Sequence, residues 1–289
     1  MEVATFHRSE GATIRGERAS LVAHRDALAR FAPDVVLDTI AYAERDAAAL
    51  VAIFRGIAGR TVVLSSQDVY ASYGRLLGLE AGPPDRSPAT EESPLRSSRF
   101  PYRARARDND DVAHDYDKIL VEQVASSDPA LPATVLRLPC VYGAGDGHHR
   151  VGQVLAMPRI GRTLLLDRTK ASWRWTRGAV DDVAEAIALA VVEPRAAGRV
   201  YNVGEETALT EEAWIRTVLR AAGLDAEVRS VDRGELPAGA AEPFDFAHDL
   251  VADTGRIRRE LGYREIVGRE PALVEAVAWE RAHPASAGA

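Results

Sequence analysis

Short apolar runs alternate with longer, helically spaced stretches along the first half of the chain. Asp34-Val-Val-Leu-Asp-Thr-Ile-Ala reads as a buried strand, and 43–57 as a helix with its apolar residues on one face. Gly59-Arg-Thr-Val-Val-Leu-Ser-Ser is the next strand, 112–124 the next helix, and Ala133-Thr-Val-Leu-Arg-Leu-Pro a further strand. This alternation predicts βαβ units and a parallel sheet. Ligands of such sheets bind beyond the carboxyl ends of the strands. The second half is more mixed. Its pattern predicts helices over 181–192, 210–222, 251–261 and 271–282, and a short strand at Arg199-Val-Tyr-Asn-Val-Gly. The tail, 284–289, is expected to fray.

Between a strand and a helix, residues 72–111 hold many of the Pro, Gly and Arg residues. Arg96, Arg99, Arg103, Arg105 and Arg107 precede Asp108, Asp110 and Asp111. A connection this long is either a solvated surface loop or an anion-facing flap, because Arg forks suit phosphate and carboxylate.

The composition is globular: 289 residues, 46% hydrophobic and 27% charged. That length suits one large α/β unit, or a core domain with a smaller cap. No apolar run reaches the ~18 residues of a membrane span. The first residues lack the basic start and apolar stretch of a secretory signal. One cysteine, Cys140, has no partner within the chain, which favours a reducing, cytoplasmic setting. A net charge of −7 disfavours a nucleic-acid surface. The excess of Arg over Lys and the abundance of Ala resemble GC-rich bacterial usage.

Five segments in order resemble a known family. They are Val63-Leu-Ser-Ser-Gln-Asp-Val-Tyr, Leu136-Arg-Leu-Pro-Cys-Val-Tyr-Gly-Ala-Gly-Asp, Arg177-Gly-Ala-Val-Asp-Asp-Val-Ala, Tyr201-Asn-Val-Gly, and Asp253-Thr-Gly-Arg-Ile-Arg-Arg-Glu-Leu-Gly-Tyr. Together they resemble the extended short-chain dehydrogenase/reductases, the NAD(P)-dependent epimerase/dehydratase group. The resemblance implies an α/β fold: a Rossmann-like, doubly wound parallel sheet, N-terminally incomplete here, with a smaller C-terminal substrate-binding cap. The Rossmann-like domain would be 1–142 with 178–204 returning to it, and the cap 143–177 with 205–289. The implied cofactor is NADP or NAD. The implied substrate is a small polar or anionic molecule, within a family range that includes nucleotide sugars. A homodimer through the 112–124 helix is also implied.

Two departures stand beside these matches. Glu2-Val-Ala-Thr-Phe-His-Arg resembles the family's second strand, so its first strand and Gly-x-x-Gly-x-x-Gly turn are not found. That turn brings backbone and a helix N-terminus to the dinucleotide pyrophosphate. Gly11 and Gly16 follow the wrong strand to replace it. Either the chain begins at a downstream start or the protein lacks this cradle. A missing central strand would leave two hydrogen-bonding edges. The second departure concerns the family's Tyr-x-x-x-Lys, in which a nearby ammonium and the cofactor ribose lower the phenol pKa. Lys118 matches the lysine, but His114 stands four residues before it. On one continuous helix His114 would share a face with Lys118, and Tyr116 would lie about 200° around. Tyr116 would then fall on the apolar stripe of Val112, Ile119 and Val124.

Three residues are therefore candidate proton carriers: His114, by helical spacing; Tyr102, in a Phe-Pro-Tyr segment like the family's Ser-Pro-Tyr; and Tyr116. Ser66 matches the residue that polarises the substrate oxygen. The cofactor-binding candidates are Arg8, Asp38, Lys118, Pro139 and Val141; a basic Arg8 would suit the NADP phosphate. The substrate candidates are Asp68, Tyr70, Arg150, Arg174 and Arg177. Trp173, Arg174, Trp175 and Arg177 form an aromatic–basic patch, read either as core-edge packing or as a recognition surface. Asp146, His148 and His149 lack the spacing of a metal site. Cys140 reads as packing. Loss of both the glycine turn and the tyrosine leaves a second reading open. In that reading the fold serves a non-redox acid–base enzyme (a cyclase, lyase or isomerase) or a non-catalytic binding protein.

Overall fold

The computed structural model describes residues 2–157 and 159–285. From residue 286 on, the tail expected to fray lies outside the described residues. The strands are β1 (Phe6–His7), β2 (Ile14–Arg15), β3 (Val35–Asp38), β4 (Arg60–Ser66), β5 (Ala133–Leu138), β6 (Cys140–Tyr142), β7 (Thr163–Asp167), β8 (Arg177–Ala179), β9 (Val200–Asn202) and β10 (Glu227–Val231). The helices are α1 (Arg25–Phe31), α2 (Glu44–Phe54), α3 (Ala71–Leu76), α4 (Val112–Asp115), α5 (Lys118–Ala125), α6 (Arg150–Ala156), α7 (Arg168–Ser172), α8 (Val180–Val192), α9 (Glu211–Ala221), α10 (Gly255–Leu261) and α11 (Arg269–Ala282). The chain divides into two interleaved units. The first comprises 1–66, 99–137 and 190–201; the second comprises 67–98, 138–189 and 202–289.

The first unit carries a four-stranded sheet in the order β3-β4-β5-β9, with β3 and β4 parallel. Six of the seven residues of β4 are buried, as expected of a central strand covered on both faces. Leu50, Ile53 and Phe54 of α2 pack with Val63 of β4 and Val121 and Ala125 of α5. Each large side chain in that layer contributes roughly 1.5–3 kcal/mol by leaving water. The Asp46 carboxylate accepts the Tyr42 and Ala43 amides, which stops α2 from fraying at its start. β1 and β2 form a separate parallel pair, Phe6 opposite Ile14. Among the described residues no ladder joins that pair to β3.

The continuous helix expected over 112–124 is two helices. Asp111 caps α4 by accepting the Ala113 amide, and Asp117 caps α5 by accepting the Ile119 amide. Tyr116 (ψ 118°) and Asp117 (φ −157°) between them are extended. Asp-x-x-x-x-x-Asp thus encodes two N-caps, and capping chemistry outweighs the apolar periodicity. The 72–111 connection is also not one loop. Its first part belongs to the second unit, where the Ala89 amide donates to the Val251 carbonyl and the Asp253 amide to that of Ala89. Arg96 there is 1% exposed and donates to the carbonyls of Asp68 and Ser98. In the first unit Arg103 stacks on Phe100 and pairs with Asp115, and Arg107 pairs with Asp111. Arg96, Arg103 and Arg107 are thus engaged within the protein.

The second unit holds two parallel pairs, β6 with β8 and β7 with β10. Its core joins Leu164, Leu166, Trp214, Ile215, Val218, Leu273 and Val277. Gly204 (φ +150°) lets the backbone pass Thr176 and Arg177; a Cβ would lie 2.5 Å from the Thr176 methyl. No helix among the described residues is long and apolar enough to cross a membrane.

Candidate active site

In the first unit, Lys118 opens α5 and is 4% exposed. Its Nζ donates to the carbonyls of Ala41 (2.7 Å) and Leu64 (2.8 Å). Two tyrosine rings lie near that ammonium. Nζ lies 4.8 Å from the Tyr42 ring centre and 5.9 Å from that of Tyr116. Tyr116 stacks on Tyr42 at 6.1 Å, and Tyr102 meets Tyr116 at 5.0 Å. The break before α5 makes this possible, because an extended Tyr116 turns off the helical wheel towards Tyr42. Tyr116 is half-buried, and Val112 of the supposed stripe is 55% exposed.

Tyr102 is delivered from the other side. Asp117 is fully buried, and its Oδ2 accepts the Phe100 amide at 2.7 Å. Phe100 is held at φ +54°, a left-handed conformation rare for an aromatic residue. His114 lies on α4, not on the helix of Lys118. Its Nδ1 is 2.7 Å from the Asp115 carboxylate, and its side chain is 29% exposed. Asp115 also pairs with Arg45, and these partners hold its carboxyl below the usual range.

Ser66 ends β4 half-buried. Its neighbour Ser65 donates to Glu122 Oε1 at 2.5 Å, and Arg137 grips the same carboxylate with Nε at 3.0 Å and Nη2 at 2.8 Å. Asp38 ends β3, 4% exposed; it accepts the Ile40 amide and pairs with Arg18 at 2.7 Å. Arg8 is exposed, and its carbonyl accepts Arg15 Nε.

The second unit holds a cavity of about 420 Å³. Cys140, Arg150, Lys170, Trp175, Arg177 and Glu211 line it, with Gln153, Met157, Trp214 and Glu242. Arg177 donates to Glu211 at 2.5 Å, and its guanidinium lies 4.4 Å from the Trp214 ring centre. Arg150 pairs with Asp146 at 2.7 Å, and Lys170 with Glu242 at 2.6 Å. Burial pushes the Cys140 thiol up to about 11. The aromatic–basic patch divides. Trp173 is core, its Nε1 donating to the His248 carbonyl, and Arg174 is bound to the buried Asp249. Trp175 and Arg177 face the cavity. Asp68 lies beside Arg96, and the Tyr70 hydroxyl donates to Asn202 at 2.6 Å. The Val141 carbonyl accepts Arg150, and Pro139 packs against Gly178 and Gly204.

Sequence reasoning did not single out Tyr42, Asp117, Lys170, Glu211, Trp214 or Glu242. Asp117 carried a signal, as a capping residue directly before the lysine. Nothing local pairs Glu211 with Arg177 or Glu242 with Lys170.

The NAD dependent epimerase/dehydratase family matches residues 13–204, and the chain belongs to it. No curated protein matches. Solved structures share the fold. MoeE5 in complex with UDP-glucose and NAD aligns with TM-score 0.64 at 16% identity, over 97% of this chain and 91% of its own. The Thermus thermophilus UDP-glucose 4-epimerase, solved with NAD, gives 0.61 at 21% identity, over 95% and 86%. DesIV, a dTDP-glucose 4,6-dehydratase from Streptomyces venezuelae, gives 0.60 at 24%, over 93% and 79%.

NAD(P) is the cofactor of this family. The pyrophosphate end finds no glycine turn among the described residues. After β1 the chain passes Gly11 into β2, and Gly16 is packed against Phe6, where a Cβ would lie 2.6 Å from the ring. A 3-10 helix, Arg18–His24, follows instead of an α-helix N-terminus.

Proposed function

We propose that this chain is an NAD(P)-dependent epimerase/dehydratase-type enzyme acting at a hydroxyl-bearing carbon of a small polar substrate. The observation that carries this reading is the buried Lys118 ammonium beside the Tyr42 and Tyr116 rings, with Tyr102 packed against Tyr116. Lys118, with Asp38 and Ser66 at the strand ends, would hold the cofactor and substrate oxygen; Arg8, Pro139 and Val141 remain cofactor candidates. NAD(P), when bound, accepts and returns the hydride. The chain's own groups move the proton. Tyr102 or Tyr116 takes it from the substrate hydroxyl, and the fixed charge on Lys118 favours the oxyanion that forms nearby. His114 ranks behind the tyrosines because it stands on α4 rather than on the helix of Lys118. Two of the relatives named above act by name on UDP-glucose and dTDP-glucose, and MoeE5 was solved with UDP-glucose, which supports a substrate that contains a hydroxylated ring. Of the substrate candidates, Arg150 and Arg177 reach a cavity, while Asp68, Tyr70 and Arg174 have structural partners.

The missing glycine turn among the described residues, where a 3-10 helix follows β2, favours a second reading, a non-redox acid–base enzyme. One experiment separates the two. The chain is incubated in D2O with NAD or NADP and a panel of hexoses, cyclitols and nucleotide sugars, while nicotinamide absorbance and substrate NMR are followed. Cofactor-dependent deuterium entry or epimerisation supports the proposal. Deuterium entry without any cofactor requirement transfers the function to the second reading.

A further inference from the structure

We infer that the cavity of the second unit binds an electrically neutral, hydroxyl-rich ring, an unphosphorylated sugar or cyclitol, in preference to a nucleoside diphosphate. The inference rests on the reading that the substrate is a hydroxylated ring and narrows its class.

The charge pattern carries it. Each cation on the wall has a carboxylate within 3 Å: Arg150 with Asp146 at 2.7 Å, Lys170 with Glu242 at 2.6 Å, and Arg177 with Glu211 at 2.5 Å. The set is therefore formally neutral. A diphosphate would need those cations uncompensated. The Arg177 and Glu211 side chains are 6% and 10% exposed, so taking Arg177 would strand a buried carboxylate. Trp214 also covers the guanidinium at 4.4 Å. Phosphate oxygens at pH 7 only accept hydrogen bonds, and they would meet Glu211 and Glu242 as like charges. Hydroxyl groups donate and accept. They match a wall that carries both donors (Arg150, Lys170, Arg177, Gln153) and acceptors (Glu211, Glu242). The half-buried Trp175 supplies an aromatic wall for the C–H face of such a ring.

The test titrates the full chain with glucose, myo-inositol, UDP and inorganic pyrophosphate, read by ligand-observed NMR at low and high salt. NADH binding is followed in the same samples. Glucose or myo-inositol should bind saturably, with little salt dependence, and more tightly than UDP or pyrophosphate by about tenfold or more. Trp175→Ala should weaken that binding about tenfold. Glu242→Gln, on an exposed loop, keeps the fold and frees Lys170. It should strengthen pyrophosphate binding by about tenfold in a salt-sensitive way. UDP binding more tightly than the sugars, no binding by either sugar, or no gain with Glu242→Gln would overturn the inference. Loss of NADH binding with sugar binding intact would count against the enzymatic proposal alone.

Discussion

The Asp117 carboxylate joins the two halves of the tyrosine cluster: Oδ2 accepts the Phe100 amide at 2.7 Å while Oδ1 accepts the Ile119 amide at 3.0 Å. One buried side chain thus caps the helix of Lys118 and fixes the left-handed Phe100 that leads to Tyr102. Asp117→Ala removes a cap and leaves a buried amide unpaired. The expected loss is roughly 2–4 kcal/mol. Urea unfolding measures it, and a loss below about 0.5 kcal/mol would mean that the contact is incidental.

The Glu122–Arg137 pair behind β4 should behave as a closed unit. Both side chains are under a tenth exposed. Arg137→Met alone leaves the Glu122 charge buried and should destabilise by roughly 3–5 kcal/mol. Adding Glu122→Leu should recover most of that. Additive losses in the double variant would show that the pair makes no coupled contribution.

Much of the first unit was legible in the sequence because β4 and α2 are made by local rules: an unbroken apolar run and a one-sided apolar stripe closed by Asp46. The strands β7 and β10 were missed. Thr163-Leu-Leu-Leu-Asp hides its alternation under three leucines, and Glu227-Val-Arg-Ser-Val is mostly polar because one face is wet. Over 112–124 the apolar spacing alone predicts one helix, and the capping carboxylates of Asp111 and Asp117 divide it into two. At the candidate site, Lys118 and Tyr116 were visible as residue types. Their neighbours were not, since Tyr42 reaches them only through the fold.

Cys140 should be chemically silent in the native chain. Burial holds its thiol up to about 11, so little thiolate exists at pH 8. Its folded pKa exceeds the unfolded value, so its contribution to stability is present below about pH 9 and is lost as pH rises towards 11. Iodoacetamide should leave the native protein unlabelled at pH 8 and label it after urea unfolding. Rapid native labelling would contradict the burial.

Phenol and imidazole carriers can be told apart by single substitutions in the deuterium-exchange assay. Tyr102→Phe or Tyr116→Phe should lower the rate by about 10²–10⁴-fold, the usual contribution of a general acid or base. His114→Phe should change it little, because His114 stands on α4 rather than on the helix of Lys118. The reverse ranking would return the proton to His114.

In the reading proposed above, the first unit binds the family's cofactor beside Lys118 although the described residues carry no glycine turn. Calorimetric titration of NADH and NADPH into the purified chain, beside Lys118→Ala, tests it most directly. The expected result is saturable micromolar binding of one cofactor, weakened about tenfold or more in the variant. No saturable heat with either cofactor, or binding indifferent to Lys118, would contradict it.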